Sequence, residues 1–319
     1  MRHLFVFLFV IYSFAGVVLA CDRDDSELID IDGYDCLMII PDIQNYIDNP
    51  AYHKHLLSIV NYANDNPQIT NCFQVGDLTN NNRLDQWNTV REQFFSRFPE
   101  GKRPIFCLGN HDYGNNGSSD VRESNIPNDL LPERDAYMEE GGLENYVRHI
   151  VISGKEYAVI VLEFGTRNET LEWASKVIKE DSSTPYIILT HAFLNNDGQI
   201  FDYKDSNCNQ TYSQKHYNMG GGYINDSKEI FDKLIYPNPN IKMVICGHCL
   251  HRDFIAIEYV PNEKGNEVPC IMVNYQHAAD GGNGYIGVLA IKDEKFMLCS
   301  YSTSEKKYKR LYATFPVDN

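Results

Sequence analysis

Short apolar runs alternate with amphipathic stretches along most of the chain. Cys36–Pro41, Cys72–Val75, Pro104–Leu108, Tyr157–Phe164, Tyr186–Leu189 and Ile241–Cys246 are four to eight residues long and bounded by polar or glycine positions. They predict buried strands. Between them, Tyr52–Ala63 turns Leu56, Leu57, Ile59 and Val60 toward a core, and Leu84–Phe98 sets Leu84, Trp87, Val90, Phe94, Phe95 and Phe98 near helical spacing. Leu171–Ile178 and Ser227–Leu234 predict two more helices. The last third reads differently: Phe254–Val260, Cys270–Asn274, Tyr285–Ile291 and Phe296–Tyr301 are strand-like, with few helices between them.

Alternating strands and helices imply βαβ layering, and consecutive strands imply sheet packed on sheet. The pattern fits an α/β protein in which a β-sandwich is flanked by helices. No repeat and no low-complexity linker divides it, so one domain is expected over residues 30–319. Two long irregular stretches remain, Asp112–Glu140 and Ala192–Tyr223, and segments of that length are expected to be functional loops or lids.

Composition narrows the function. The 319 residues carry 28 Lys+Arg against 44 Asp+Glu, a net charge of −16. That balance excludes a nucleic-acid polymer as partner and argues against an anionic membrane surface. It leaves phosphorylated substrates open, because bound metal ions can supply the positive charge.

Arg2 and His3 precede an apolar run from Leu4 to Leu19, and Val18 and Ala20 are small residues before a cut after Ala20. Residues 1–20 are expected to be a cleaved signal peptide and the protein to be secreted or exported. A retained anchor, or a lipoprotein signal ending in Val18-Leu19-Ala20-Cys21, are the alternatives. No later segment is long and apolar enough to span a bilayer, so no membrane span is expected in the mature chain. Of nine cysteines, Cys72, Cys107 and Cys246 sit in apolar runs and are expected to be free thiols. Cys21, Cys36, Cys208, Cys249, Cys270 and Cys299 could pair in part. Four N-x-[ST] sequons, at Asn116, Asn168, Asn209 and Asn225, are weak glycosylation signals.

The polar residues just past each strand carry the chemistry. Cys36–Pro41 leads to Asp42-Ile43-Gln44, Cys72–Val75 to Gly76-Asp77, and Pro104–Leu108 to Gly109-Asn110-His111-Asp112. Tyr186–Leu189 leads to His191, and Ile241–Cys246 to Gly247-His248. Ligands bind outside the carboxyl ends of strands in open α/β sheets. A mixture of carboxylate, amide oxygen and imidazole suits a hard or borderline divalent metal. One such residue is weak evidence; five in register form a specific signal.

Here the sequence resembles the calcineurin-like metallophosphoesterase family, from about Leu37 to Tyr301. The matching pieces are PDIQNY, GDLTNNNRLDQW, CLGNHD, LEWASKVI, LTHAFLNNDG and NYQHAADGGNGYIGVL. They are most similar to an exported branch whose first motif carries Gln in place of His. The resemblance implies a four-layer α/β/β/α sandwich and a dinuclear site for two divalent ions, drawn from Mn, Mg, Zn, Fe or Ca. Asp42 and Gln44 would hold the first ion, Asp77 would bridge both, and Asn110, His191 and His248 would hold the second. His111 would face the substrate as general acid, oriented by Asp112. Two ions about 3.5–4 Å apart would clamp the phosphoryl oxygens and turn a shared water into the attacking hydroxide.

Two departures stand out. Gln44 replaces an imidazole, which favours Mn²⁺, Mg²⁺ or Ca²⁺ over Zn²⁺ or Fe at the first position. The family's last motif is usually Gly-His-x-His, but here Leu250 occupies the expected place and His251 comes one residue late, reaching the metal only if the loop bends. Asn80 stands where purple acid phosphatases place a Tyr, which argues against a charge-transfer ferric site. The expected function is a secreted metal-dependent phosphomonoesterase, acting on a phosphorylated small molecule or on phosphoserine and phosphothreonine in proteins. A phosphodiesterase or nucleotidase on the same core is the near alternative, and a degenerate ligand-binding member without turnover is the distant one.

Overall fold

The structure is a computed structural model that describes residues 25–131, 133–140, 142, 144–292 and 295–316. Residues 1–20, expected to be a signal peptide, and Cys21 lie outside the described residues. The first sheet contains β1 (Asp35–Ile40), β2 (Ile69–Gln74), β3 (Ile105–Phe106), β11 (Tyr285–Lys292), β12 (Lys295–Ser302) and β13 (Lys307–Pro316), in the order β13-β12-β11-β1-β2-β3. The second contains β4 (Ala136–Tyr137), β5 (Tyr146–Ile152), β6 (Lys155–Val161), β7 (Tyr186–Leu189), β8 (Ile241–Cys246), β9 (Ile255–Pro261) and β10 (Glu267–Val273), in the order β4-β5-β6-β7-β8-β10-β9.

Alternation along each central strand assigns the layers. In β1, Leu37 and Ile39 enter the core between the two sheets, where they join Phe73, Val159, Ile187, Ile245 and Ile271. Met38 and Ile40 point the other way, into an outer core built with α1 (Gln44–Asp48), α2 (His53–Asp65) and α3 (Leu84–Gln93). The far face of the second sheet, through Ala158, Ile160, Ile188 and Val244, packs against α4 (Asn168–Glu180) and α5 (Ser227–Ile230). The result is the expected four-layer α/β/β/α sandwich. Strands buried on both faces are mostly apolar, which is why these runs are nearly unbroken in the sequence, with the buried Gln74 of β2 satisfied by Pro41 O and Gly76 O.

Three strands, β4, β5 and β13, are not legible as apolar runs. β5 buries Tyr146, Val147, Ile150 and Ile152, exposes His149 and Val151, and carries a half-buried Arg148 on the same face as Tyr146 and Ile150; it returns into β6 through Ser153-Gly154, both at positive φ. β13 is an edge strand whose first half carries Lys307, Lys309 and Arg310. The helix expected over Leu84–Phe98 stops at Gln93. Phe94 leaves helical geometry, and a 3₁₀ turn at Phe95–Arg97 packs Phe95 on Phe106. Packing also begins before Asp30, since Asp25 N–H donates to Lys309 O at 2.7 Å.

The eight cysteines among the described residues are all free, and seven are buried. No pair forms among Cys36, Cys208, Cys249, Cys270 and Cys299. Cys270 and Cys299 each direct Sγ to a strand carbonyl, Val268 O and Val288 O, and fill core volume instead. Asn225 is fully buried, with its amide donating to Thr166 O, so it is no glycan acceptor in the folded protein. No described helix is long and apolar enough to cross a membrane.

Candidate metal centre

The strand pairs β1–β2, β2–β3, β6–β7, β7–β8 and β8–β10 are all parallel. Their carboxyl ends meet along one rim of the sandwich. The first sheet delivers Asp42, Asp77 and Asn110 there, and the second delivers His191 and His248. A cleft of about 250 Å³ opens at this rim, lined in part by Gln44, Asp77, Asn110, His111 and His248.

Backbone carbonyls fix the two imidazoles. His191 Nδ1 donates to Val75 O at 2.7 Å, and His248 Nε2 donates to Tyr212 O at 2.8 Å. The remaining ring nitrogens, His191 Nε2 and His248 Nδ1, then face each other at 3.1 Å. Asn110 Oδ1 lies 3.2 Å and Asp77 Oδ1 3.3 Å from the same His191 Nε2. Ligand atoms of Asp77, His191 and His248 all fall within 4.8 Å of one another, and all three residues are buried. Four acceptor atoms converging in a dry site repel unless a proton or a cation stands among them. Carbonyl hydrogen bonds on the second ring nitrogen are also the usual support of a metal-bound histidine.

Tight turns make this convergence possible. Asp77 and His248 both adopt left-handed backbone, at φ 51° and 68°. A Cβ on Gly109 would lie 2.2 Å from Asp77 Oδ1, so only glycine lets the Gly-Asn-His-Asp turn approach the carboxylate.

The electrostatics agree. Burial opposes charge on Asp77, but the imidazoles of His191 and His111 hold its carboxyl below the ordinary range. Burial also opposes charge on His191, yet Asp77 raises it to about 9. Burial, reinforced by His191, holds His248 down to about 3. Without a metal, the cluster thus keeps one proton on His191, at the place where a divalent cation would satisfy all four acceptors.

Asp42 and Gln44 follow β1 at the same rim. Asp42 is buried, and burial with Asp77 nearby pushes its carboxyl up to about 7 against the pull of His191. Gln44 begins α1, and its buried Oε1 has no hydrogen-bond partner. An unpaired buried carbonyl oxygen in a cleft that Asp77 also lines suits a hard cation. The residues present therefore fit a pair of divalent ions.

His111 lines the cleft. Its Nδ1 donates to Asn80 O at 2.9 Å, which leaves Nε2 for the cleft. Asp77 and the Asn80 carbonyl raise its pKa, outweighing burial.

Two expectations need correction. Asp112 does not orient His111 and touches no cleft. It is fully buried and accepts from Leu78 N, Gly109 N, Thr79 N and Thr79 Oγ1 at 2.8–3.1 Å, tying the Gly-Asp turn to the Gly-Asn-His-Asp turn. His251 is not brought to the centre either: its Nδ1 accepts from Asp253 N at 3.2 Å, and Leu250 lines the cleft in its place.

Two residues at the centre are not among those expected from the sequence. Asn274 Nδ2 donates to Asp42 Oδ2 at 2.9 Å and to His248 O at 3.0 Å, and Gln276 Nε2 donates to Asp42 Oδ2 at 3.3 Å. Both come after β10, which ends at the same rim. From the loop Ala192–Tyr223, Tyr212 and Tyr217 reach the cleft, while Tyr203, Lys204, Lys215 and His216 are not among its lining residues. No lysine or arginine lines the cleft among the described residues.

Residues 37–251 match the protein family described as calcineurin-like phosphoesterase. A curated relative, the uncharacterized protein YvnB of Bacillus subtilis (strain 168), is 22% identical over 231 residues, which make up 69% of this chain and 16% of that protein. The chain therefore spans only a minor part of that relative's length. Among solved structures, the purple acid phosphatase PPD1 from yellow lupin (Lupinus luteus) seeds superposes with a TM-score of 0.51 at 13% identity, over 89% of this chain and 53% of its own. A dimetal phosphatase from Danio rerio does so with a TM-score of 0.50 at 10% identity, over 89% and 98%. These likenesses establish the shared metallophosphatase fold.

Proposed function

Since the chain belongs to the calcineurin-like phosphoesterase family, we propose that it is an exported, metal-dependent phosphomonoesterase. The convergence of Asp77, Asn110, His191 and His248 on one point, with Gln44 Oε1 unpaired nearby, is the observation that carries the reading. Asp42, Gln44 and Asp77 would hold one divalent ion, and Asp77, Asn110, His191 and His248 the other. When bound, the ions supply Lewis-acid polarisation of the phosphoryl oxygens and a water of lowered pKa as nucleophile.

The chain's own side chains do the rest. Val75 O and Tyr212 O hold the imidazoles in the tautomers that leave a lone pair toward the centre. His111, steered by Asn80 O, presents Nε2 to the cleft and donates a proton to the departing ester oxygen. With no lysine or arginine lining the cleft among the described residues, the phosphate dianion would take most of its counter-charge from the ions.

A cleft of about 250 Å³ suits one phosphoryl group with one organic substituent, since pockets for larger ligands usually run from roughly 300 Å³ upward. Export rests on the apolar leader before Ala20 and the charged run after it. Rates on p-nitrophenyl phosphate, bis(p-nitrophenyl) phosphate, a phosphoserine peptide and a nucleoside monophosphate, measured with Mn²⁺, test the choice of ester. Monoesters should exceed the diester at least tenfold in kcat/KM. Preference for the diester would overturn the monoester reading and favour a phosphodiesterase.

A further inference from the structure

The loop after β10 grips the nitrogen-poor half of the centre. Asn274 is fully buried, and its amide joins Asp42 Oδ2 to the backbone carbonyl of His248. Its own Oδ1 accepts from Gln276 N at 3.0 Å, which aims the Gln276 amide at the same carboxylate oxygen. Two neutral donors thus share Asp42 Oδ2, and neither brings a positive charge. A carboxylate held this way keeps its full charge for a cation, whereas an arginine partner would cancel it.

The same loop is pressed onto α1, which carries Gln44. Asn45 Nδ2 donates to Gln276 O at 2.8 Å, and Gly284 N donates to the Tyr46 hydroxyl at 3.0 Å. Gly282 sits at φ 127°, and a Cβ there would lie 2.3 Å from that hydroxyl, so only glycine permits this contact. One loop therefore sets both Asp42 and the helix of Gln44. Leu250 lines the cleft, and no histidine is directed at Asp42 through a side-chain hydrogen bond among the described residues.

We propose that the Asp42–Gln44–Asp77 position is an all-oxygen site shaped by the Asn274–Gly284 loop, with Asn274 and Gln276 as positioning residues for Asp42. This inference rests on the dinuclear reading above. The site takes a hard divalent cation such as Mn²⁺ or Mg²⁺ and exchanges it readily. The position with two imidazoles keeps its ion and favours Zn²⁺.

The test is titration of Mn²⁺ into metal-stripped protein, followed by calorimetry and by the electron paramagnetic resonance signal of a coupled ion pair. Wild-type protein should bind two ions, the weaker at least tenfold less tightly, with one equivalent of Zn²⁺ displacing only the tighter ion. Asn274→Ala and Gln276→Ala should each weaken the looser ion by roughly 10–100-fold, the usual cost of losing a partner that orients a ligand. The tighter ion and the melting temperature of the metal-free protein should not change in Gln276→Ala, whose half-buried side chain is removable without opening the core. If Gln276→Ala binds both ions with wild-type affinity and keeps the coupled signal, the inference is overturned while the dinuclear reading stands. If wild-type protein binds no ion, the dinuclear reading itself fails.

Discussion

His191 Nε2 and His248 Nδ1 stand 3.1 Å apart, and each ring has already given its other N–H to a backbone carbonyl. The contact is favourable only with a cation or an added proton between them. Replacing one ring removes the convergence. His248→Ala should lose the tighter ion and lower kcat by at least about 10³-fold, since a metal ion here both polarises the ester and activates the nucleophile. Metal content after gel filtration and single-turnover rates check this.

His111 touches the cleft but does not belong to the acceptor cluster. His111→Ala should lower kcat by roughly 10²–10⁴-fold, the range for loss of a proton donor, while both ions stay bound. The deficit should shrink for esters of acidic phenols, whose leaving groups need no proton. A uniform deficit across leaving groups would assign His111 to binding instead.

Asp112 accepts four hydrogen bonds from the turns that carry Asp77 and His111. Asp112→Ala leaves buried N–H groups unpaired and should cost roughly 3 kcal/mol of stability. Differential scanning calorimetry of the metal-free protein measures it. Loss of turnover without loss of stability would show that the residue acts in chemistry after all.

Burial pushes the thiols of Cys36, Cys72 and Cys246 up to about 12 from an ordinary 9.0. The unfolded chain therefore releases these protons near pH 9 and the folded protein does not. Their stabilising contribution is full below pH 9 and is lost progressively as pH rises toward 12. Denaturant midpoints should fall between pH 8.5 and about 10.5. In native protein below pH 8, a thiol reagent should modify Cys208 fastest among the described cysteines, since the other seven are buried. Replacing Cys36, Cys72 and Cys246 together by serine should flatten the alkaline limb.

Much of the centre is legible because the central strands are largely apolar on both faces and stop abruptly. In Val75-Gly76-Asp77 or Cys246-Gly247-His248 the first polar residue after the run is the one at the rim. Asn274 escapes that pattern because Cys270–Asn274 reads as one strand, although β10 ends at Val273 and Asn274 is the first residue of the rim. Asp112 departs from its expected role for a different reason. Its sequence neighbour is His111, but a 3₁₀ turn at Asn110–Asp112 sends adjacent side chains to different places, and Asp112 goes inward to backbone donors. His251 shows the same limit: one residue of offset carries its ring to Asp253. Strands β5 and β13 are obscured by charges that their exposed faces accommodate.

The central claim is that turnover requires cations placed by Asp77 and the two imidazoles. The direct measurement is hydrolysis of p-nitrophenyl phosphate by chelator-stripped protein as Mn²⁺ is added back, with Asp77→Asn in parallel. Rates should rise from background and saturate once two ions are bound per chain, and Asp77→Asn should stay at least about 10³-fold lower at any Mn²⁺ concentration, because both ions lose a shared ligand. Undiminished hydrolysis by the stripped protein, or full activity in Asp77→Asn, would contradict the account.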